Sequence, residues 1–128
     1  MGIGDDRVVR HLTERQALGA LDRGRCIEQL LAQSATDPSM IEWLRLSPQS
    51  SGVMLVRHRV RDVGTADYLD VYEFPPVELD EEHGEGSLLA TLAGSAEALA
   101  ASVEHGARAD LWVMDGMIQD EYAAAARH

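Results

Sequence analysis

Lysine is absent from this chain, cysteine occurs once, and aromatic residues make up only 5% of its 128 positions. Each shortage closes off a class of explanation. A lone Cys26 permits neither an intramolecular disulfide nor a cysteine-cluster metal site, and it fits a reducing compartment. No apolar run approaches the ~20 residues that span a bilayer. The opening residues, Met1-Gly-Ile-Gly-Asp-Asp6, are acidic where a secretory leader is basic. Asp6 also breaks the myristoylation pattern that Gly2 begins. The expectation is a cytoplasmic protein without membrane contact. All eleven non-histidine cations are arginine and alanine is abundant, a composition for which GC-rich codon bias accounts.

Chemical signatures are equally scarce. There is no phosphate-binding glycine loop, nucleophile elbow, His-Glu-x-x-His or Cys-x-x-Cys. Gly84-Glu-Gly86 fails as a nucleotide loop because its central residue is an acid within the most negative part of the chain. No cofactor, metal or catalytic residue is therefore expected.

What the chain does have is a lopsided charge. The formal total is −11. Residues 1–61 carry nine arginines against seven acids, whereas residues 62–128 carry two against fifteen, a local −13. From Asp62 to Glu85 there are nine acids and no Arg or Lys. Such a field repels nucleic acid and anionic lipid and attracts basic partners.

Length and a hydrophobic content of 45% predict one globular domain over residues 1–128 with a single core. Thr13-Glu-Arg-Gln16 reads as a capping box opening a helix with Ala17, Leu18 and Leu21 on its apolar side. That helix either stops at Gly24, leaving Cys26–Leu31 as a second short element, or runs on through Ile27 and Leu31. Three segments then read as an antiparallel meander: Met40–Leu46, Val53–Arg61 and Tyr68–Phe74, with turns at 47–52 and 62–67. In the middle strand Met54, Val56, His58 and Val60 point to the core, and Arg57, Arg59 and Arg61 point away. A turn near Gly64 would set Arg61 against Tyr68, Arg59 against Asp70 and Arg57 against Tyr72. Residues 75–86 read as an acidic loop, Ser87–Ala93 as a fourth strand, and a Ser95-capped helix follows that stops at Gly106. Leu111–Met114 is strand-like, with a final helix ending in Ala123–Ala126; the alternative is one longer helix from Leu111 broken by Gly116. The predicted class is α+β: an antiparallel meander of about four to five strands, with one N-terminal and two C-terminal helices packed on it.

Few residues invite a chemical role. His58, on the apolar face and diagonal to Glu73, has the makings of a general acid or base. A hydrogen-bonded core histidine explains the same pattern, and no nucleophile is placed beside it. The loop residues Glu78, Asp80, Glu81, Glu82, His83 and Glu85 lack the alternation of a calcium loop and read as a solvated acidic surface. The arginine stripe with Tyr68 and Tyr72 resembles a nucleic-acid platform only until Asp70 and the surrounding negative charge are counted.

The functional expectation is a non-enzymatic binding domain. Asp67, Tyr68, Asp70, Tyr72, Glu78, Asp80, Glu81, Glu82 and Glu85 would meet a basic protein, with Tyr68, Tyr72 or Trp112 as buried anchors. Its most concrete form, in a bacterial setting, is an immunity or antitoxin protein that occludes a nuclease-type toxin by mimicking the nucleic-acid backbone. The alternatives are a chaperone of a secreted effector, a small enzyme or ligand-binding domain using His58 and Glu73, or a domain whose acidity only solubilises it while it acts through an oligomer interface.

Overall fold

The computed structural model describes residues 11–31, 40–61, 72, 87–118 and 120–122. Helix α1 (Glu14–Asp22) opens as the sequence predicts: the Thr13 hydroxyl accepts from the Gln16 amide and the Gln16 side chain accepts from the Thr13 amide. Two otherwise orphaned amides are thereby satisfied at the helix start. The helix ends at Arg23, and Gly24 follows at φ 80°, a conformation that glycine adopts without penalty. The break reverses the chain into strand β1 (Ile27–Leu30), which settles the open choice in favour of a second short element.

Strands β2 (Met40–Gln49) and β3 (Gly52–Arg61) form a long hairpin that pairs from Met40↔Arg61 to Gln49↔Gly52. Strand β2 therefore continues through Ser47 and Pro48, which the sequence assigns to a loop. Pro48 is tolerated because pairing with β1 ends at Leu46, so no ladder needs its missing amide on that side. Strand β4 (Ser87–Leu92) pairs with β3 through a bulge opposite Leu55 and Val56. Helix α2 (Ser95–Val103) follows, and the two-residue β5 (Val113–Met114) pairs with β1. The five antiparallel strands run β4-β3-β2-β1-β5. Residues 118 and 120–122 are helical, which completes an α+β fold with one early and two later helices.

Helix α2 departs in one detail from its sequence reading. Its N-cap is Gly94, without a side-chain cap bond; the Ser95 hydroxyl instead donates to Asp22 of α1 at 2.7 Å and ties the two helices together.

Strand alternation distributes two apolar clusters. Ala17, Ala20 and Leu21 of α1 and Ala98 of α2 pack on Ile27, Leu44, Leu46, Val53 and Leu55, with Trp112 fully buried beside them. Ile41, Trp43, Val60 and Val113 form the second cluster with Ile118 and Tyr122. Cross-strand partners share a face, so the register puts Trp43, His58 and Glu28 on the side opposite α1 and α2. His58, Val56 and Val60 are buried as expected. The arginine side of β3 is not wholly solvent-facing, because Val53 and Leu55 on it are core residues beneath the helices.

Candidate functional site

The most distinctive chemistry lies on the face away from α1 and α2, and it centres on Glu28. This carboxylate is fully buried. Its Oε1 accepts from the Tyr72 hydroxyl at 2.8 Å and from the Gly116 amide at 3.0 Å, and its Oε2 accepts from the Trp43 indole N–H at 3.2 Å. Three elements distant in sequence thus converge on one side chain of a four-residue strand. Glycine at 116 has φ 94°, and its amide reaches the carboxylate from the tight turn after β5.

Burial raises the Glu28 carboxyl above its ordinary value, partly countered by the Gly116 amide and the Tyr72 hydroxyl. The Asp115 charge raises it further and Arg45 opposes that effect. Arg45 stands between these groups: its Nη2 donates to the Cys26 sulfur at 3.4 Å and its Nη1 lies 3.7 Å from an Asp115 oxygen. The Tyr72 phenol is driven well above its usual range, first by burial and then by the neighbouring Glu28 charge. It donates to Glu28 and accepts from the Ile118 amide at 3.0 Å, so it clasps strand β1 to the segment after β5.

The aromatic rings complete the cluster. Trp43 stacks on His58 with centroids 5.0 Å apart and planes at 13°, and meets Tyr72 edge-on at 5.6 Å. The arrangement suits anchoring: one buried carboxylate holds three donors, from Trp43, Tyr72 and Gly116, on strand β1.

The opposite face carries a second charged group at the end away from the helices. Glu42 accepts from Arg59 Nε, and Arg57 Nε lies 3.8 Å from the same oxygen, buried and without a hydrogen bond. The arginine stripe therefore spends charge on an internal carboxylate from the adjacent strand.

Of the residues singled out from sequence for partner binding, only Tyr72 falls within the described set; Asp67, Tyr68, Asp70, Glu78, Asp80, Glu81, Glu82 and Glu85 lie outside it, as does Glu73. Tyr72 does not face Arg57 across a ladder. Arg57 sits between Leu44 and Ser87, because the strand that joins β3 on its free side is β4. Tyr72 is 39% exposed, with its hydroxyl turned inward. Trp112, at 1% exposure, belongs to the core and offers no surface anchor. Sequence reasoning missed Glu28 altogether; an acid within a short apolar strand was the one available signal.

Among the described residues no three His, Cys, Asp or Glu side chains are arranged to hold a metal ion, and no described helix is long and apolar enough to cross a membrane. No known protein family, curated protein or solved structure matches this chain.

Proposed function

We propose that this chain is a non-enzymatic acidic binding domain that engages a basic protein, most concretely as an immunity or antitoxin protein occluding the nucleic-acid-binding face of a nuclease-type toxin. The observation that carries this reading is the −13 charge of residues 62–128. Fifteen carboxylates against two arginines give a field that steers a cationic surface toward the domain and repels nucleic acid competing for it. Asp67, Tyr68, Asp70, Tyr72 and the Glu78–Glu85 acids form the proposed contact surface.

The Glu28 cluster supports the proposal by what it does with Tyr72. That residue lies inside the acidic stretch, between Asp70 and Glu73 in sequence, and its hydroxyl is held by Glu28 and the Ile118 amide. Fixing one residue of an acidic segment lowers the ordering cost of presenting its neighbours to a partner. A buried Glu28 that already accepts three hydrogen bonds and a His58 stacked on Trp43 likewise favour a binding role over catalysis.

The test is capture of basic proteins on the immobilised chain at low salt, followed by an assay of whether the chain inhibits nucleic-acid cleavage by the captured protein. Inhibition that is lost in the Glu81→Arg/Glu82→Arg variant is the expected result. A captured protein with no nuclease activity removes the toxin version, and capture indifferent to the charge reversal removes the acidic surface from the interface.

A further inference from the structure

Helix α1 carries two arginines that no described residue of the chain pairs as a counter-ion. Arg15 and Arg23 are exposed and, among the described residues, take part in no ion pair. Both line a groove of about 430 Å³ whose other walls are Leu12, Gln16, Gly19, Ala20 and Met114. The Arg23 guanidinium lies over Gly19, where a Cβ would meet its Nη1 at 3.1 Å. Glycine in a helix interior costs about 1 kcal/mol relative to alanine.

Helix α2, packed beside α1, has a complementary outer surface. Ala96, Ala100 and Val103 are exposed at helical spacing, Val103 to 55%, and exposed Glu97 and Glu104 flank them without an ion pair among the described residues. Arg15 and Arg23 are eight residues apart on one helix, ~12 Å along its axis; Glu97 and Glu104 are seven apart on the other, ~10.5 Å.

Two of these charges also oppose their own helix dipoles. Arg15 sits in the first turn of α1, where a cation is disfavoured, and Glu104 caps the C-terminus of α2, where an anion is disfavoured. Both penalties are relieved if the two residues meet.

We propose that a second copy of this chain docks its α2 against the α1 groove, pairing Arg15 with Glu104 and Arg23 with Glu97 of the second copy, while Ala100 and Val103 meet the apolar lining of Leu12, Ala20 and Met114. Since α1 and α2 lie on the same side of the sheet, a two-fold arrangement makes this contact twice, each copy contributing both helices. The matched charges set the antiparallel orientation. The contact uses neither Tyr72 nor the Glu78–Glu85 acids, so it stands independently of the proposed function.

Sedimentation velocity over a range of concentrations, at ~0.05 M and ~0.5 M salt, tests the proposal. The wild type should form a dimer whose dissociation constant weakens at least about tenfold at the higher salt. Arg15→Glu/Arg23→Glu and Glu97→Arg/Glu104→Arg should each be monomeric with unchanged far-UV circular dichroism. Mixing the two variants should restore a dimer, because every reversed pair then faces its complement. A wild type that stays monomeric at low salt, a dimer that survives either reversal, or a mixture that remains monomeric would each overturn it. So would an unrelated acidic peptide, such as poly-glutamate, saturating the groove while the chain itself never associates.

Discussion

Replacing Glu28 by alanine should cost about 2–4 kcal/mol of folding stability. The variant leaves the Trp43 indole N–H and the Gly116 amide without their acceptor. A buried donor deprived of its partner costs about 1–3 kcal/mol, which applies in full to the buried Trp43 and in part to the exposed Gly116. Tyr72, being partly exposed, can turn its hydroxyl to water and contributes less. Relief of carboxylate burial, which in the wild type raises the Glu28 carboxyl above 4.5, offsets part of the loss. That raised value also fixes the sign of a pH effect. The folded state holds the Glu28 proton more tightly than the unfolded chain, so its contribution is fullest below the unfolded value and is lost as pH rises through the folded one. The stability gap between wild type and Glu28→Ala should therefore be widest near pH 4.5, narrow with rising pH, and then level off. Urea titrations followed by tryptophan fluorescence across that range provide the assay. A cost below about 1 kcal/mol would refute the assignment of Glu28 as a buried anchor, and a gap that widens as pH rises would show that its hydrogen-bond donors outweigh its burial.

Four further outcomes follow from the structure. Tyr72→Phe removes the hydroxyl that joins Glu28 to the Ile118 amide and should lower stability by about 1–2 kcal/mol in chemical denaturation. In alkaline absorbance titration of the wild type, the Tyr72 phenol should stay protonated until the protein unfolds; its ionisation in the ordinary tyrosine range with the fold intact would contradict its burial beside Glu28. Gln29→Ala breaks a two-way clamp in which the side-chain amide donates to the Arg108 carbonyl at 2.8 Å and accepts from its N–H at 2.7 Å; a loss of about 1–3 kcal/mol is expected, with faster hydrogen exchange at the Arg108 amide. Gly52→Ala at φ 142° would drive a methyl group into the Leu92 carbonyl oxygen, and a loss of about 2–4 kcal/mol by thermal unfolding is expected.

What could be read from the chain beforehand was whatever local chemistry decides. The Thr13–Gln16 box and the period-2 burial of Val56, His58 and Val60 depend on neighbours a few residues away, and both are as the sequence implies. Strand β1 was ambiguous for a physical reason. Glu28 and Gln29 are fully buried polar residues, and their partners lie as far off as Gly116 and Arg108, so a pattern of apolar spacing has nothing to register. The mistaken pairing of Arg57 with Tyr72 came from assuming that segments next in sequence are next in the sheet. At Arg57 that place belongs to Ser87 of β4, after an intervening stretch of 25 residues. Ser95 illustrates a smaller ambiguity, since a serine at a helix start can cap its own helix or, as here, bond the adjacent one at Asp22.

The most direct test of the central claim is the dissociation constant for the captured basic partner, measured as a function of salt for the wild type and for Glu81→Arg/Glu82→Arg. Affinity should fall steeply with salt for the wild type, mainly through a slower association rate, and be at least about a hundredfold weaker in the variant at low salt. Equal affinities for the two proteins, or a wild-type constant indifferent to salt, would contradict the claim that the acidic half of this chain is its binding surface.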